Sequence, residues 1–381
     1  MNIVDCVASC QEAVRSLLPE LGRPLSKVIG AVVAGAVRMK AGQLRSLGVA
    51  IPGSAHDRSK ERRAQRLVAN THLDVSRAQR RLITHILGQR HGRIDLLLDA
   101  TTNGRRRTGG RTVTLMLAIG WRGRALPLIW HSWPAAGPQT TWAAVTRSMV
   151  QTVAMLTPPD VQIVLLADRG LSGRPLAFLA QSFGWHYLLR MQANATLRDA
   201  DGTVCALHEL VPRPGMRVFR HDVNVFPPKY NHTTSNHRWS TALSGNVVAV
   251  RPVDSTDPWL LITDLPASMA RCTEYRHRTW HEEMFRDLKS TGMNWQRSRI
   301  QKPEHADRLL LVLTLALLWV FATGQRVIRT GQRVHFEPRA RRALSIFQLG
   351  LQAILRGFTN DTALHCTFHL LPLTRPTLKL S

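Results

Sequence analysis

The sequence predicts an α/β protein: a mixed sheet with flanking helices, preceded by a helical region and interrupted by a β-rich insertion. Three observations predict it. Between residues 91 and 191, short apolar runs and helical stretches follow in the order strand, strand, strand, helix, strand, helix, strand. Residues 1–90 read as helical. Residues 192–270 are rich in Pro, Asn and Thr and carry several short β-type runs. Closely spaced strands suit an antiparallel meander, and strands alternating with helices suit a layered α/β sheet.

In chain order, Val28 to Met39 is small and apolar, Asp57 to Asn70 is a charged helix, and Asp74 or Ser76 caps a helix reaching Leu87. Ile94 to Leu98 is an apolar strand ending at Asp99. Thr112 to Ile119 is a second strand, a turn spans Gly120 to Gly123, and Ala125 to His131 is a third strand. Thr140 to Leu156 reads as a helix, Val161 to Ala167 as a strand ending at Asp168, Pro175 to Phe183 as a helix and Trp185 to Leu189 as a strand. The insertion offers Arg217 to Phe226, Trp239 to Leu243, Val247 to Val253 and Trp259 to Thr263. A helix from Tyr275 to Lys289 then resumes the core, with Leu309 to Ala322 behind it. The tail holds a basic segment, Arg326 to Arg342, and an apolar helix, Ala343 to Leu355.

Composition narrows the function classes. The chain has 381 residues, and 44% hydrophobic content excludes a disordered protein. Lys and Arg number 51 against 25 Asp and Glu, a net charge of +26. That excess, mostly arginine, points to nucleic acid or an anionic membrane. Residues Met1 to Leu18 carry Asp5 and Glu12 and make a poor signal peptide. The longest apolar run, Leu309 to Ala322, is 14 residues, short of the roughly 20 needed to span a bilayer. No membrane partner is therefore expected. The five cysteines are scattered and odd in number, which argues against a disulfide framework and fits a reducing compartment. Cys366 with His365 and His369 is a weak metal-ligand cluster. Residues 55–90 carry nine Lys or Arg against three acids. With the whole chain basic, Arg58, Arg62, Arg63 and Arg66 are read as DNA contacts instead of a merely solvated face.

The chemistry-bearing residues gather in one stretch. Tyr275, Arg278, Glu282 and Lys289 stand at offsets of 0, 3, 7 and 14, nearly one face of a helix. An ordinary buried face would be apolar; this one suits an anionic ligand beside a carboxylate-bound metal. Asp99 and Asp168 each end an apolar strand, at the sheet edge where crevices form. Taken singly, each would be a turn or cap residue. Together with Glu282 they form a set of hard oxygen ligands able to hold two Mg²⁺ ions, with Mn²⁺ as a substitute. Asp95, four residues before Asp99, competes with it, and Glu283 competes with Glu282. Arg169 touches either DNA or the acidic cluster.

These residues resemble the insertion-sequence 4 family of DDE transposases, whose members share a Tyr-Arg-Glu-Lys signature. Tyr275, Arg278, Glu282 and Lys289 match its three spacings, of two, three and six intervening residues. Leu97-Leu-Asp-Ala-Thr-Thr102 and Leu165-Leu-Ala-Asp-Arg-Gly170 resemble its two aspartate motifs, and the likeness covers roughly residues 55–325. Thr279 stands where many members have Trp, and His281 where they have an aliphatic residue. The resemblance implies a ribonuclease-H-like core with a β-rich insertion between the second Asp and the Glu. It also implies metal binding and catalysis by Asp99, Asp168 and Glu282, phosphate contacts by Tyr275, Arg278 and Lys289, and a homodimer on double-stranded DNA. Trp259 resembles the tryptophan that holds a flipped base in hairpin-forming members, although a core role suits it equally. The expected organisation is a helical DNA-binding region at 1–90, a core at 91–191 and 271–325, the insertion at 192–270, and a helical tail at 326–381. The expected activity is cut-and-paste transposition in a prokaryotic cytoplasm, at the nucleoid. A silent DNA-binding descendant and a nuclease without strand transfer are the rivals.

Overall fold

Ten strands form one sheet, in the order β3-β2-β1-β4-β5-β10-β9-β8-β6-β7. The computed structural model describes residues 3–103, 112–136, 141–226, 242–255, 257–338, 340 and 342–371. Five helices come first: α1 (Ile3–Leu17), α2 (Arg23–Met39), α3 (Leu44–Val49), α4 (Asp57–Ala69) and α5 (Val75–Leu87). Asp74 caps α5, its carboxylate accepting from the Arg77 amide at 3.0 Å, which satisfies one of the helix's orphan N–H groups.

The meander follows as β1 (Gly92–Asn103), β2 (Thr112–Trp121) and β3 (Arg124–Pro134). Arg122 and Gly123 join β2 to β3 with φ of 46° and 81°. Two successive left-handed residues match the strand twist of a tight hairpin. After α6 (Thr141–Leu156) come β4 (Val161–Ala167), α7 (Arg174–Ser182) and β5 (His186–Arg190). Strands β1, β4 and β5 run parallel, while β1, β2 and β3 pair antiparallel. The central strand β4 is apolar almost throughout, as burial on both faces requires.

The β-rich insertion extends this sheet. Strands β6 (Thr196–Arg198), β7 (Val204–Ala206), β8 (Arg217–Phe226), β9 (Leu243–Val250) and β10 (Trp259–Thr263) add antiparallel, with β10 pairing to β5. The expected run Trp239 to Leu243 falls mostly outside the described residues, and the strand there begins at Leu243.

The expected single helix over Tyr275 to Lys289 is broken. It divides into α8 (Met269–Tyr275), a 3-10 turn (Arg276–Arg278) and α9 (Thr279–Lys289). The apolar run at 309–322 is the centre of a longer helix, α10 (Pro303–Arg329), of 27 residues. By length and composition α10 could cross a membrane, yet 89% of its most apolar window is buried inside the protein. It packs against α2, α4, α5, β3 and α11 (Ile346–Thr359), so its apolar surface serves the core. This mixed α/β architecture, with its helical N-terminal region and flanking helices, is consistent with a ribonuclease-H-like transposase fold.

Candidate active site

Strand register brings the two aspartates together. Leu98 pairs with Ala167 across the parallel strands β1 and β4. Asp168 follows the end of β4, but β1 runs on to Asn103, so Asp99 lies within its strand and not, as the sequence suggested, at its end; the register still sets the two aspartates side by side. Asp99 Oδ1 accepts from the Ala100 amide at 2.7 Å.

The segment from α8 to α9 lies against this pair. The Tyr275 hydroxyl donates to Asp168 Oδ1 at 3.2 Å. Arg278 Nη1 donates to Asp99 Oδ2 at 3.3 Å and lies 4.0 Å from Asp168 Oδ2, while Nη2 donates to Glu282 Oε1. One guanidinium therefore links all three predicted carboxylates. Glu282 forms the open side, with 53% of its side chain exposed against 15% for Arg278. Lys289 Nζ donates to Thr101 Oγ1 and, at 3.0 Å, to the Thr102 carbonyl, fixing the end of α9 to β1. Arg190, at the end of β5, approaches Asp168 to 3.9 Å. The sequence reading missed Arg190, although β5 neighbours β4 and ends at the same sheet edge.

The electrostatics follow from partial burial. Asp99 is pushed above the ordinary carboxylate range, chiefly by burial and further by Asp168 and Glu282; the Ala100 amide and Arg278 oppose the shift. Burial disfavours a charged Arg278, but Asp168, Tyr275, Asp99 and Glu282 outweigh it, and its net shift is upward. Burial raises the Tyr275 phenol well above its usual value, with Asp168 adding to the effect, so Tyr275 stays a neutral donor. Burial lowers Lys289, and Asp99 partly compensates.

The two rival acids are engaged elsewhere. Asp95 Oδ2 bonds His277 Nδ1 at 2.6 Å, and the His277 ring stacks on Trp280 at 3.9 Å. Glu283 pairs with Arg124 at 3.2 Å and Arg286 at 2.7 Å, on the side of α9 facing β3. Arg124 also reaches the buried Asp287 at 3.0 Å. Arg169 does not touch the acidic group: its guanidinium bonds Asp257 at 2.5 Å, and Arg190 shares the same carboxylate at 2.8 Å. Trp259 stands edge-on to Tyr275 at 5.8 Å, with the Arg276 guanidinium 5.8 Å from its ring. It is half-buried at the rim of the site.

Arg58, Arg62, Arg63 and Arg66 lie on the exposed face of α4, while Ala64, Leu67 and Val68 fill its buried face. None contacts the acidic group, and among the described residues none is in an ion pair. Arg62, Arg63, Arg66, Ser59, Gln65 and Ala69 line a shallow groove along that helix.

Among the described residues, no three His, Cys, Asp or Glu side chains are already grouped as metal ligands. That holds for His365, Cys366 and His369: the Cys366 amide donates to Ser9 Oγ at 2.9 Å, and the His369 ring meets His85 edge-on. At Asp99, Asp168 and Glu282 the carboxylates face a shared guanidinium, which supplies positive charge. The three carboxylates offer the hard oxygens that divalent cations prefer, spread around the guanidinium and not gathered as a ligand group.

Residues 143–319 match the family model described as a transposase DDE domain. The matched segment, somewhat less than half the chain, contains Asp168, Tyr275, Arg278, Glu282 and Lys289 and begins after Asp99. The match supports a DDE transposase, a class of enzyme that acts on DNA and generally uses divalent metal ions. No curated protein matches the chain.

Proposed function

We propose that this protein is a cut-and-paste transposase of the insertion-sequence 4 type. It binds the terminal inverted repeats of a mobile element, cleaves the strands at the element's ends and joins the freed 3′-hydroxyls to target DNA. The observation that carries the reading is the linkage of Asp99, Asp168 and Glu282 through the single guanidinium of Arg278.

Asp99, Asp168 and Glu282 would hold two Mg²⁺ ions, whose chemistry is to lower the pKa of water and neutralise charge on a phosphodiester. Tyr275, Arg278 and Lys289 grip phosphates: arginine bidentately, lysine as a point charge, the neutral phenol as a hydrogen-bond donor. In the first reaction, water forms the new bond to phosphorus and the 3′-oxygen leaves with a proton. In the second, that 3′-hydroxyl attacks a target phosphate and the target's 3′-oxygen leaves. In-line displacement needs no covalent enzyme intermediate, so the protein's own task is to position groups and stabilise charge. The basic face of α4 supplies contacts to duplex phosphates, and Trp259 offers an indole on which an extruded base stacks. A second copy pairs the two ends, and the scattered thiols suit a prokaryotic cytoplasm.

The test is incubation with Mg²⁺ and DNA carrying the flanking terminal repeats of the protein's own element. Cleaved ends and strand-transfer products support the reading. Cleavage without joining would reassign the protein as a nuclease, and binding without cleavage as a silent DNA-binding descendant.

A further inference from the structure

The placement of Arg278 has a consequence for the order in which the site is assembled. The same carboxylate oxygens that suit a divalent ion are engaged by this side chain: Asp99 at 3.3 Å, Asp168 at 4.0 Å, and Glu282 in direct hydrogen bond. A guanidinium stays charged at any physiological pH, so no protonation change releases it. A competing anion can draw it off, and a phosphodiester offers arginine the same bidentate geometry as a carboxylate.

Two features leave that movement open. The site is least covered on the Glu282 side, where the guanidinium can leave without crossing the core. The backbone that carries Arg278 is fixed by other contacts, since the neighbouring residue His277 is bonded to Asp95 and stacked on Trp280. The side chain can therefore change partners while the turn stays in place.

We propose that Arg278 is a latch: in the DNA-free protein its guanidinium competes with divalent cations for Asp99, Asp168 and Glu282, and a DNA phosphate withdraws it. This deepens the transposase reading and rests on it. Cation and arginine exclude each other from the same oxygens, whereas DNA and cation assist each other. By thermodynamic reciprocity, whatever DNA does for cation affinity, the cation does for DNA affinity. A transposase built this way loads its ions only at an engaged DNA end, which suppresses stray cleavage.

The experiment measures Mn²⁺ binding to the full-length, DNA-free protein by electron paramagnetic resonance of the free ion. The proteins compared are wild type, Arg278→Ala, Arg278→Gln, Arg286→Ala, and Arg278→Ala combined with Asp99→Asn. A latch predicts that both Arg278 variants bind Mn²⁺ about tenfold more tightly than wild type, and that the added affinity vanishes with Asp99→Asn. Arg286→Ala also removes a positive charge from α9, but Arg286 is paired with Glu283, so its affinity stays within about twofold of wild type. Arg278→Gln keeps the stem and a polar head should the alanine variant fold poorly. Unchanged affinity in the Arg278 variants, or equal tightening by Arg286→Ala, overturns the latch. If wild type still cleaves end DNA in Mg²⁺, the transposase reading survives that result. Absence of Asp99-dependent Mn²⁺ binding in the Arg278 variants overturns the latch, and absence of Mg²⁺-dependent cleavage by wild type overturns the transposase reading.

Discussion

His277 is bonded to Asp95 through Nδ1 and Oδ2 at 2.6 Å, a link between the turn before α9 and the strand that carries Asp99. Trp280 stacks on the same imidazole and lies against Gly120, where an added Cβ would come within 3.1 Å of its ring. Arg278 is the next residue, so this bracket sets where its guanidinium starts. Asp95→Asn or His277→Ala should slow DNA cleavage by about 10- to 100-fold while end binding changes little. The double variant should be no slower than either single one, because both changes remove the same bond. Single-turnover cleavage and gel-shift titration measure the two effects; additive losses would show that the residues act separately.

The structure separates neighbouring acids by their partners. Asp99→Ala, Asp168→Ala and Glu282→Ala should each abolish strand cleavage and spare binding to end DNA. Glu283→Ala should keep cleavage, and should instead cost stability on the order of 1 kcal/mol through loss of the partly buried Arg124 pair. Denaturant unfolding beside the cleavage assay distinguishes the two outcomes.

Asp287 gives a pH signature. Its carboxyl is raised to about 7, mainly by burial and also by Glu283, with Arg124 opposing. The folded value lies above the unfolded one, so the folded state holds the extra proton. Its contribution is most favourable below about pH 4 and declines as pH rises to about 7. Asp287→Asn removes that decline. The melting temperature of the variant, relative to wild type, should therefore rise across this window and level off above it; a constant difference would show that the carboxyl titrates alike in both states.

At the crossing of α10 and α11, a Cβ on Gly350 would come within 1.8 Å of the Val320 carbonyl oxygen. Backbone cannot rotate away as a side chain can. Gly350→Ala should destabilise the fold by about 1–3 kcal/mol or more, read as a lower denaturation midpoint. An unchanged midpoint would mean that the helices separate at little cost.

The exposed arginines of α4 predict a salt effect. Replacing Arg62 and Arg66 with Ala should weaken DNA binding across sequences and reduce the log–log salt slope by about 0.9 for each lost phosphate contact. An unaltered slope would remove α4 from the interface.

Much of the fold was legible because local pattern and tertiary burial agree. Val161 to Ala167, Arg217 to Phe226 and Trp259 to Thr263 are strands with the bounds their β-type runs suggest. The break at Arg276 to Arg278 was not legible, since nothing in Arg-His-Arg opposes a helix; the distinguishing contact is His277 to Asp95, 182 residues apart. Spacing to Arg278 and Lys289 favoured Glu282 over Glu283, but the partner that engages Glu283, Arg124 from the β2–β3 hairpin, was similarly hidden. The partner of Arg169 was hidden for the same reason: adjacency to Asp168 in sequence says nothing of Asp257, from the segment before β10. Alternation and apolar runs report burial, whereas the aim of a charged side chain depends on distant strands.

The most direct measurement is Mg²⁺-dependent cleavage of DNA bearing the element's own terminal repeats by wild type and Glu282→Gln, with gel-shift affinity recorded for both. The account predicts cleavage by wild type, none by the variant, and closely similar DNA affinity. A Glu282→Gln protein that cuts at the wild-type rate would contradict it.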